Sequence, residues 1–177
     1  ELPVNQLKHH LQEGKTQCGC WLSLSSVIAT EICAGAGFDW LLIDTEHAPN
    51  ELHMVHAQIL AASAYPVPVV VRPAWNDTII LKRLLDLGVQ SFIIPYVQNA
   101  EEARKAVAAT RYTPKGVRGV STSSRSSRFG RVKDYLPNAE KEICVVVQLE
   151  SREALNNIEA IAAVEGIDGI FIGPQDL

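Results

Sequence analysis

No run of apolar residues in this 177-residue chain approaches the ~18 that a membrane-spanning helix needs, and no secretory leader pattern is visible. Basic charge is scarce. The 16 Lys and Arg stand against 20 Asp and Glu, a net of -4, which disfavours a nucleic acid or an anionic membrane as partner. Cysteine is sparse too, at positions 18, 20, 33 and 144. Cys18-Gly19-Cys20 lacks the second half of a zinc site, so reduced thiols in a cytoplasmic protein are the expectation. No charge-rich or low-complexity linker divides the chain. No glycine-rich phosphate fingerprint follows the first apolar run, where Trp21-Leu22-Ser23-Leu24-Ser25 stands instead. No lysine closes an apolar run either: those at 8, 15, 82, 105, 115, 133 and 141 all lie elsewhere, which disfavours Schiff-base chemistry. No organic cofactor is expected.

What the sequence does have is regular alternation. At 47% hydrophobic, the chain can bury a core. Short apolar runs predict strands at Cys18–Leu22, Phe38–Ile43, Val67–Val71, Ser91–Pro95, Ile143–Leu149 and Gly169–Ile172. Helical patterns separate them. Pro49–Ala62 is amphipathic with Asn50 as its cap, and Asp77–Leu87 repeats Ile80, Leu84 and Leu87 before Gly88. Asn99-Ala100-Glu101-Glu102 reads as a capping box opening a helix to Ala109, and Ser151 caps one through Val164. This βα order implies a mainly parallel sheet.

An eight-stranded (β/α) barrel takes ~250 residues, so six units in this length suit a barrel lacking its last two. A doubly wound sheet is the alternative. The chain has no initiator Met and closes on Gly169–Leu177, a strand and its loop, so a fragment is expected.

In parallel α/β architectures, reactive groups collect at the carboxyl ends of strands. Those ends carry Asp44, Glu46 and His47 after the second run, Arg72-Pro73 after the third, Glu150 after the fifth and Gly173-Pro174-Gln175-Asp176 after the sixth. Each has an ordinary structural reading, as a helix cap, an ion pair or a surface side chain. Their shared position favours a common site.

Two carboxylates, Glu150 and Asp176, suit Mg²⁺ or Mn²⁺, which prefer oxygen ligands and keep several waters. A 2-oxoacid can replace two of those waters. A Lewis acid there would stabilise an enolate, Arg72 could place fixed positive charge on the same oxygen, and His47, oriented by Asp44, could move the proton. Glu46 has no assigned role. Between Arg111 and Tyr135 lies a long Gly-, Ser- and Arg-rich loop, expected to meet the distal carboxylate of a diacid substrate or another subunit.

These residues carry a family resemblance. Gly37-Phe38-Asp39-Trp40-Leu41-Leu42-Ile43-Asp44, Glu46-His47-Ala48-Pro49-Asn50, Val71-Arg72-Pro73, Lys82–Gly88, Ala109–Tyr112, Gly116–Val120, Gln148-Leu149-Glu150 and Gly173–Leu177 occur in order along the chain. The chain resembles the HpcH/HpaI aldolases, class II pyruvate aldolases that include 4-hydroxy-2-oxoheptanedioate and 2-dehydro-3-deoxyglucarate aldolases.

The resemblance implies a TIM barrel of the phosphoenolpyruvate/pyruvate type over residues 1–177, cut after the sixth strand. It implies reversible cleavage of 4-hydroxy-2-oxoacids, or of 2-dehydro-3-deoxy sugar acids, to pyruvate and an aldehyde, and a homohexamer. It assigns Glu150 and Asp176 to the metal (Mg²⁺ or Mn²⁺, with Co²⁺ a further option). It assigns Arg72, His47 and Asp44 to catalysis. Gln148, Gln175, Asp176 and Arg72 fall to the substrate, and Asp86 to support or a subunit interface. Thr45 and Gln175 stand where smaller residues are usual. A related thioester lyase would need a CoA-binding surface that the sequence does not suggest, and an inactive barrel fragment is the remaining alternative.

Overall fold

The computed structural model describes residues 1–177. Six strands, β1 (Gly19–Leu22), β2 (Trp40–Asp44), β3 (Val69–Arg72), β4 (Ser91–Ile94), β5 (Cys144–Leu149) and β6 (Gly169–Ile172), form one sheet in the order β1-β2-β3-β4-β5-β6. Every neighbouring pair is parallel. The order never reverses, which excludes the doubly wound alternative, whose sheet turns back at a switch point.

The sheet is strongly curled. Five strand spacings of about 4.8 Å would part β1 from β6 by about 24 Å in a flat sheet. Yet the rings of Trp21 on β1 and Phe171 on β6 have centroids 5.6 Å apart. Only a sheet rolled into most of a barrel brings its edges together in this way.

Period-two alternation then gives each strand an inner and an outer face. Outward residues such as Leu41, Ile43, Val71, Phe92, Ile94, Val145, Val147 and Leu149 join the helices in a core cluster of 26 buried residues. Inward residues form a second cluster, in which Leu42, Val70 and Ile93 meet Leu7 with Trp40, Val146 and Phe171 packed against them. Leu7 comes from α1 (Gln6–Gln12), which plugs the amino-terminal end of the curl. Asn5, its N-cap, donates to Ser91 Oγ and to the carbonyls of Gln90 and Glu142. The apolar filling thus ends one side chain below the carboxyl-terminal rim, leaving Asp44, Arg72, Gln148 and Glu150 as the next inward residues.

The outer helices are α2 (Val27–Ala34), α3 (Leu52–Ala62), α4 (Thr78–Asp86), α5 (Ala100–Thr110), α6 (Tyr135–Asn138), α7 (Arg152–Asn156) and α8 (Ile158–Ala162). Asn99 caps α5 as expected, and Asp77, the expected first residue of α4, stands as its N-cap. Glu102, however, accepts from the Gln98 amide rather than from that of Asn99, so the capping box is displaced by one residue.

Two other expectations need correction. Asn50 does not cap α3, whose N-cap is Glu51. Its side chain instead donates to Asp44 O and accepts from Gln58. The helix expected from Ser151 to Val164 breaks at Asn157, whose side chain donates to Gln98 O and fixes the bend. Helices α1, α2 and α6 were not indicated by the sequence patterns.

Candidate active site

Strand register builds the site's centre. Asp44 and Arg72 are direct partners across the β2–β3 ladder, and both face inward. Arg72 Nε donates to Asp44 Oδ1 at 2.9 Å and Nη2 to Oδ2 at 2.6 Å, a bidentate pair. Three further donors reach the same carboxylate: Trp21 Nε1 at 3.3 Å, and the amides of Glu46 at 3.0 Å and His47 at 3.4 Å. Burial alone would raise the Asp44 pKa. The Arg72 bonds and charge, with the Glu46 amide and Trp21, outweigh burial and hold it below the ordinary carboxylate range.

Arg72 is tethered on several sides. Its guanidinium lies 5.0 Å from the Trp21 ring centroid and reaches Gln148 Oε1 at 3.5 Å. The Thr45 hydroxyl donates to the Arg72 carbonyl at 2.7 Å, giving this departure from the smaller residue a structural use. Burial works against the Arg72 charge, but Asp44, Glu46 and Glu150 raise its pKa above the ordinary value.

Glu46 belongs to the site. Its Oε2 lies 3.2 Å from Arg72 Nε, yet that buried oxygen receives no hydrogen bond. Burial is the chief cause that raises its pKa. Arg72 and His47 pull it back only in part, and Glu150 and Asp44 add to the rise.

The expected pairing of the His47 ring with Asp44 is absent. Asp44 spends its oxygens on Arg72, and only the His47 backbone amide touches it. The imidazole stands at the rim with its side chain 69% exposed and its Nε2 3.7 Å from Glu46 Oε1.

Glu150 is buried at the end of β5, and its Oε1 accepts one hydrogen bond, from the Tyr96 amide at 2.8 Å. Gly173 keeps the end of β6 close. A Cβ there would lie 3.0 Å from Gln148 Nε2 and 3.2 Å from Glu150 Cβ. Gln175 and Asp176 follow in the exposed loop after β6, on the same rim, without a hydrogen bond to Glu150.

No three His, Cys, Asp or Glu side chains gather as a metal cluster. The donor set nonetheless fits a divalent cation of the oxygen-preferring kind. Asp44, Glu46 and Glu150 set three carboxylates against the single guanidinium of Arg72, one buried Glu46 oxygen is orphaned, and Asp176 stands at the rim. No lysine takes part in these contacts.

Two expected residues lie at the other end of the barrel. Asp86 ends α4, with Oδ1 3.7 Å from Nη2 of the fully buried Arg118. Arg125, in the loop between α5 and β5, donates to Leu87 O at 2.9 Å and packs on Gly88. Within one chain, then, the arginine-rich loop cannot reach a substrate held at the rim, because an α-to-β connection returns to the amino-terminal side. A groove of about 630 Å³ also opens at that end, among Asn5, Phe38, Tyr65 and Gln90. It lacks the cluster of Asp44, Arg72, Glu46 and Glu150, so the rim is the better candidate.

The strand-end reading missed Trp21 and Tyr96. Trp21 could have been found by extending inward alternation from Gly19. The Tyr96 contact runs through a backbone amide, which carries no sequence signal.

Residues 17–177 match the HpcH/HpaI aldolase/citrate lyase family. The chain is 57% identical over 177 residues to a pyruvate aldolase from Rhizobium etli, covering 100% of this chain and 70% of that protein. It is 54% identical over 174 residues to 4-hydroxy-2-oxo-heptane-1,7-dioate aldolase from Escherichia coli, covering 98% and 66%. It superposes with a TM-score of 0.95 on the crystal structure of a family protein from Burkholderia cenocepacia, at 40% identity, covering 98% of this chain and 70% of that one. The chain thus spans 66% to 70% of the length of these relatives.

Proposed function

This chain belongs to the HpcH/HpaI aldolase/citrate lyase family, and from that premise we propose that it forms the pyruvate-handling part of a carbon–carbon lyase. The reaction is reversible cleavage of a 4-hydroxy-2-oxoacid to pyruvate and an aldehyde. Residues 1–177 contribute to one barrel domain. The observation that carries this reading is the buried Asp44–Arg72 pair beside Glu150 on the carboxyl-terminal rim.

A divalent cation held by Glu150 and Asp176, Mg²⁺ or Mn²⁺ in first place, would supply Lewis-acid polarisation of the 2-oxo group. The chain's own residues do the rest. Cleavage of the C3–C4 bond leaves an electron pair on C3 that delocalises onto the C2 oxygen as an enolate. Arg72 presents a fixed positive charge to that oxygen, and its cost of reorientation is removed in advance by Asp44, Trp21 and Gln148.

His47, exposed beside the opening, takes the proton from the C4 hydroxyl as the aldehyde forms and returns one to C3 to release pyruvate. Its neighbour for this work is Glu46 rather than Asp44. Gln175 and the backbone around Asp176 receive the substrate carboxylate.

A cytoplasmic homohexamer is the proposed setting, and no helix is long and apolar enough to cross a membrane. Asp86 and the Arg125 loop, remote from their own rim, are available for subunit contacts.

The test is pyruvate release from 4-hydroxy-2-oxoheptanedioate, followed through NADH oxidation by lactate dehydrogenase. Release that needs Mg²⁺ or Mn²⁺ and falls in His47→Ala supports the reading. Absence of release with either metal present contradicts it.

A further inference from the structure

Tyr96 adopts a left-handed backbone conformation, φ 55°, which non-glycine residues rarely occupy. Such strain persists only where the surroundings enforce it, and it gathers at functional sites. The reason here is visible in what the turn does. The chain leaves β4 through Pro95, reverses at Tyr96 and drives Val97 fully into the core. Two successive amides are thereby aimed at the end of β5: Tyr96 N–H donates to Glu150 Oε1 at 2.8 Å, and Val97 N–H donates to Gln148 O at 3.1 Å. The Val97 bond pins the turn to the β5 backbone, and the Tyr96 bond holds the Glu150 carboxylate against it.

The Tyr96 ring is held as well. It stacks on Trp75 with centroids 5.7 Å apart and planes inclined by 27°. Trp75 is a fixed platform. The next residue, Asn76, is buried and donates to Glu102 O at 3.0 Å, and the Asp77 amide donates to Trp75 O at 2.9 Å. Trp75 is 52% and Tyr96 39% exposed, and the stack joins the two rings beside the strained turn as a side-chain restraint on it.

We propose that the Trp75–Tyr96 stack is a positioning device for Glu150: it holds the strained turn whose amide fixes one carboxylate oxygen and leaves the other free for a divalent cation. The proposal rests on the reading of Glu150 as a cation ligand. Neither aromatic side chain touches the reacting atoms. Their effect passes through the Tyr96 amide, as partners behind a ligand commonly tune a metal site.

The experiment uses the whole chain and two readouts. The first is Mn²⁺ affinity by titration calorimetry, without substrate. The second is hydrogen exchange of the Tyr96 amide by NMR, with the Val71 and Phe92 amides as core references. Trp75→Ala is expected to weaken Mn²⁺ about tenfold and to speed Tyr96 exchange while the references stay slow. Trp75→Phe and Tyr96→Phe, which keep a stack, are expected to retain both properties.

Unchanged Mn²⁺ affinity and unchanged Tyr96 protection in Trp75→Ala would overturn the proposal, as would equal loss in Trp75→Phe. If Trp75→Ala speeds exchange but the unsubstituted chain binds no Mn²⁺, the reading of Glu150 as a cation ligand fails and the cation half of the proposal falls with it. Faster exchange in the references as well would mean general loosening, and it too would count against the proposal.

Discussion

Asp44 and Arg72 stand opposite each other in adjacent parallel strands, and the carboxylate gives both oxygens to the guanidinium inside the barrel mouth. A charge pair taken out of water is costly unless both partners remain, so each residue is the condition for the other. Asp44→Ala is expected to cost about 3 kcal/mol of unfolding free energy, because the Arg72 charge is then left without its main partner. Urea unfolding of both proteins at neutral pH measures it, and a difference below about 1 kcal/mol would mean the pair is effectively solvated.

The same pair sets a pH dependence. The folded Asp44 pKa lies below its ordinary value of 3.8, so its contribution is fully present above the unfolded pKa and is lost as pH falls from about 4 through the depressed folded value. Once the two are matched for stability at neutral pH, acid unfolding should therefore begin at higher pH in the unsubstituted chain than in Asp44→Asn, because only the former loses this contribution. Coincident acid transitions would contradict this.

Glu46 has the opposite sign. Its folded pKa is raised above 4.5, so ionising it costs stability as pH rises from the unfolded pKa through the raised folded one. At neutral pH the buried, unpartnered oxygen is a standing cost. Glu46→Gln is expected to raise stability at pH 7 by about 0.5–1 kcal/mol while lowering aldol turnover, the usual conflict between a strained site and a stable one. Thermal unfolding and pyruvate release, measured on the same preparation, decide it. Loss of stability would show that the Arg72 contact outweighs the burial.

Gly19 tests the packing beneath the site. A Cβ there would fall 2.2 Å from the Trp40 ring, so Gly19→Ala must move an inward indole that fills the barrel. Overpacking of this kind costs about 1–3 kcal/mol. The loss should appear in unfolding midpoint, with turnover at moderate temperature retained, because Asp44 lies two inward positions above Trp40.

Much of this architecture was legible. Buried parallel strands are continuous apolar runs: Gly169–Ile172 was read without error, Ser91–Pro95 ran one residue too far, and the other four began one or two residues early. The helix after Asp77 announced itself through the spacing of Ile80, Leu84 and Leu87, and the one after Asn99 through its capping sequence. The unannounced ones lacked periodic contrast. In α1 only Leu7 is buried, and α2 exposes Val27, Ile28 and Ile32 opposite its buried face.

The site divides in the same way. Asp44, Arg72 and Glu150 follow from strand-end position alone, a local property. That Asp44 pairs with Arg72 rather than with the His47 ring depends on strand register, and that Glu150 is held by Tyr96 depends on a backbone reversal. Neither is written in residue type.

The central claim is that Arg72, held by Asp44, stabilises an enolate of pyruvate, and exchange of the pyruvate methyl protons in D₂O tests it most directly because no aldehyde has to be guessed. With Mg²⁺ or Mn²⁺ present, NMR should show methyl deuteration by the unsubstituted chain, abolished by EDTA and slowed about 100-fold in Arg72→Lys, which keeps the charge but loses the bidentate hold. Exchange of equal rate in Arg72→Lys, or none in the unsubstituted chain with either metal, would contradict the account.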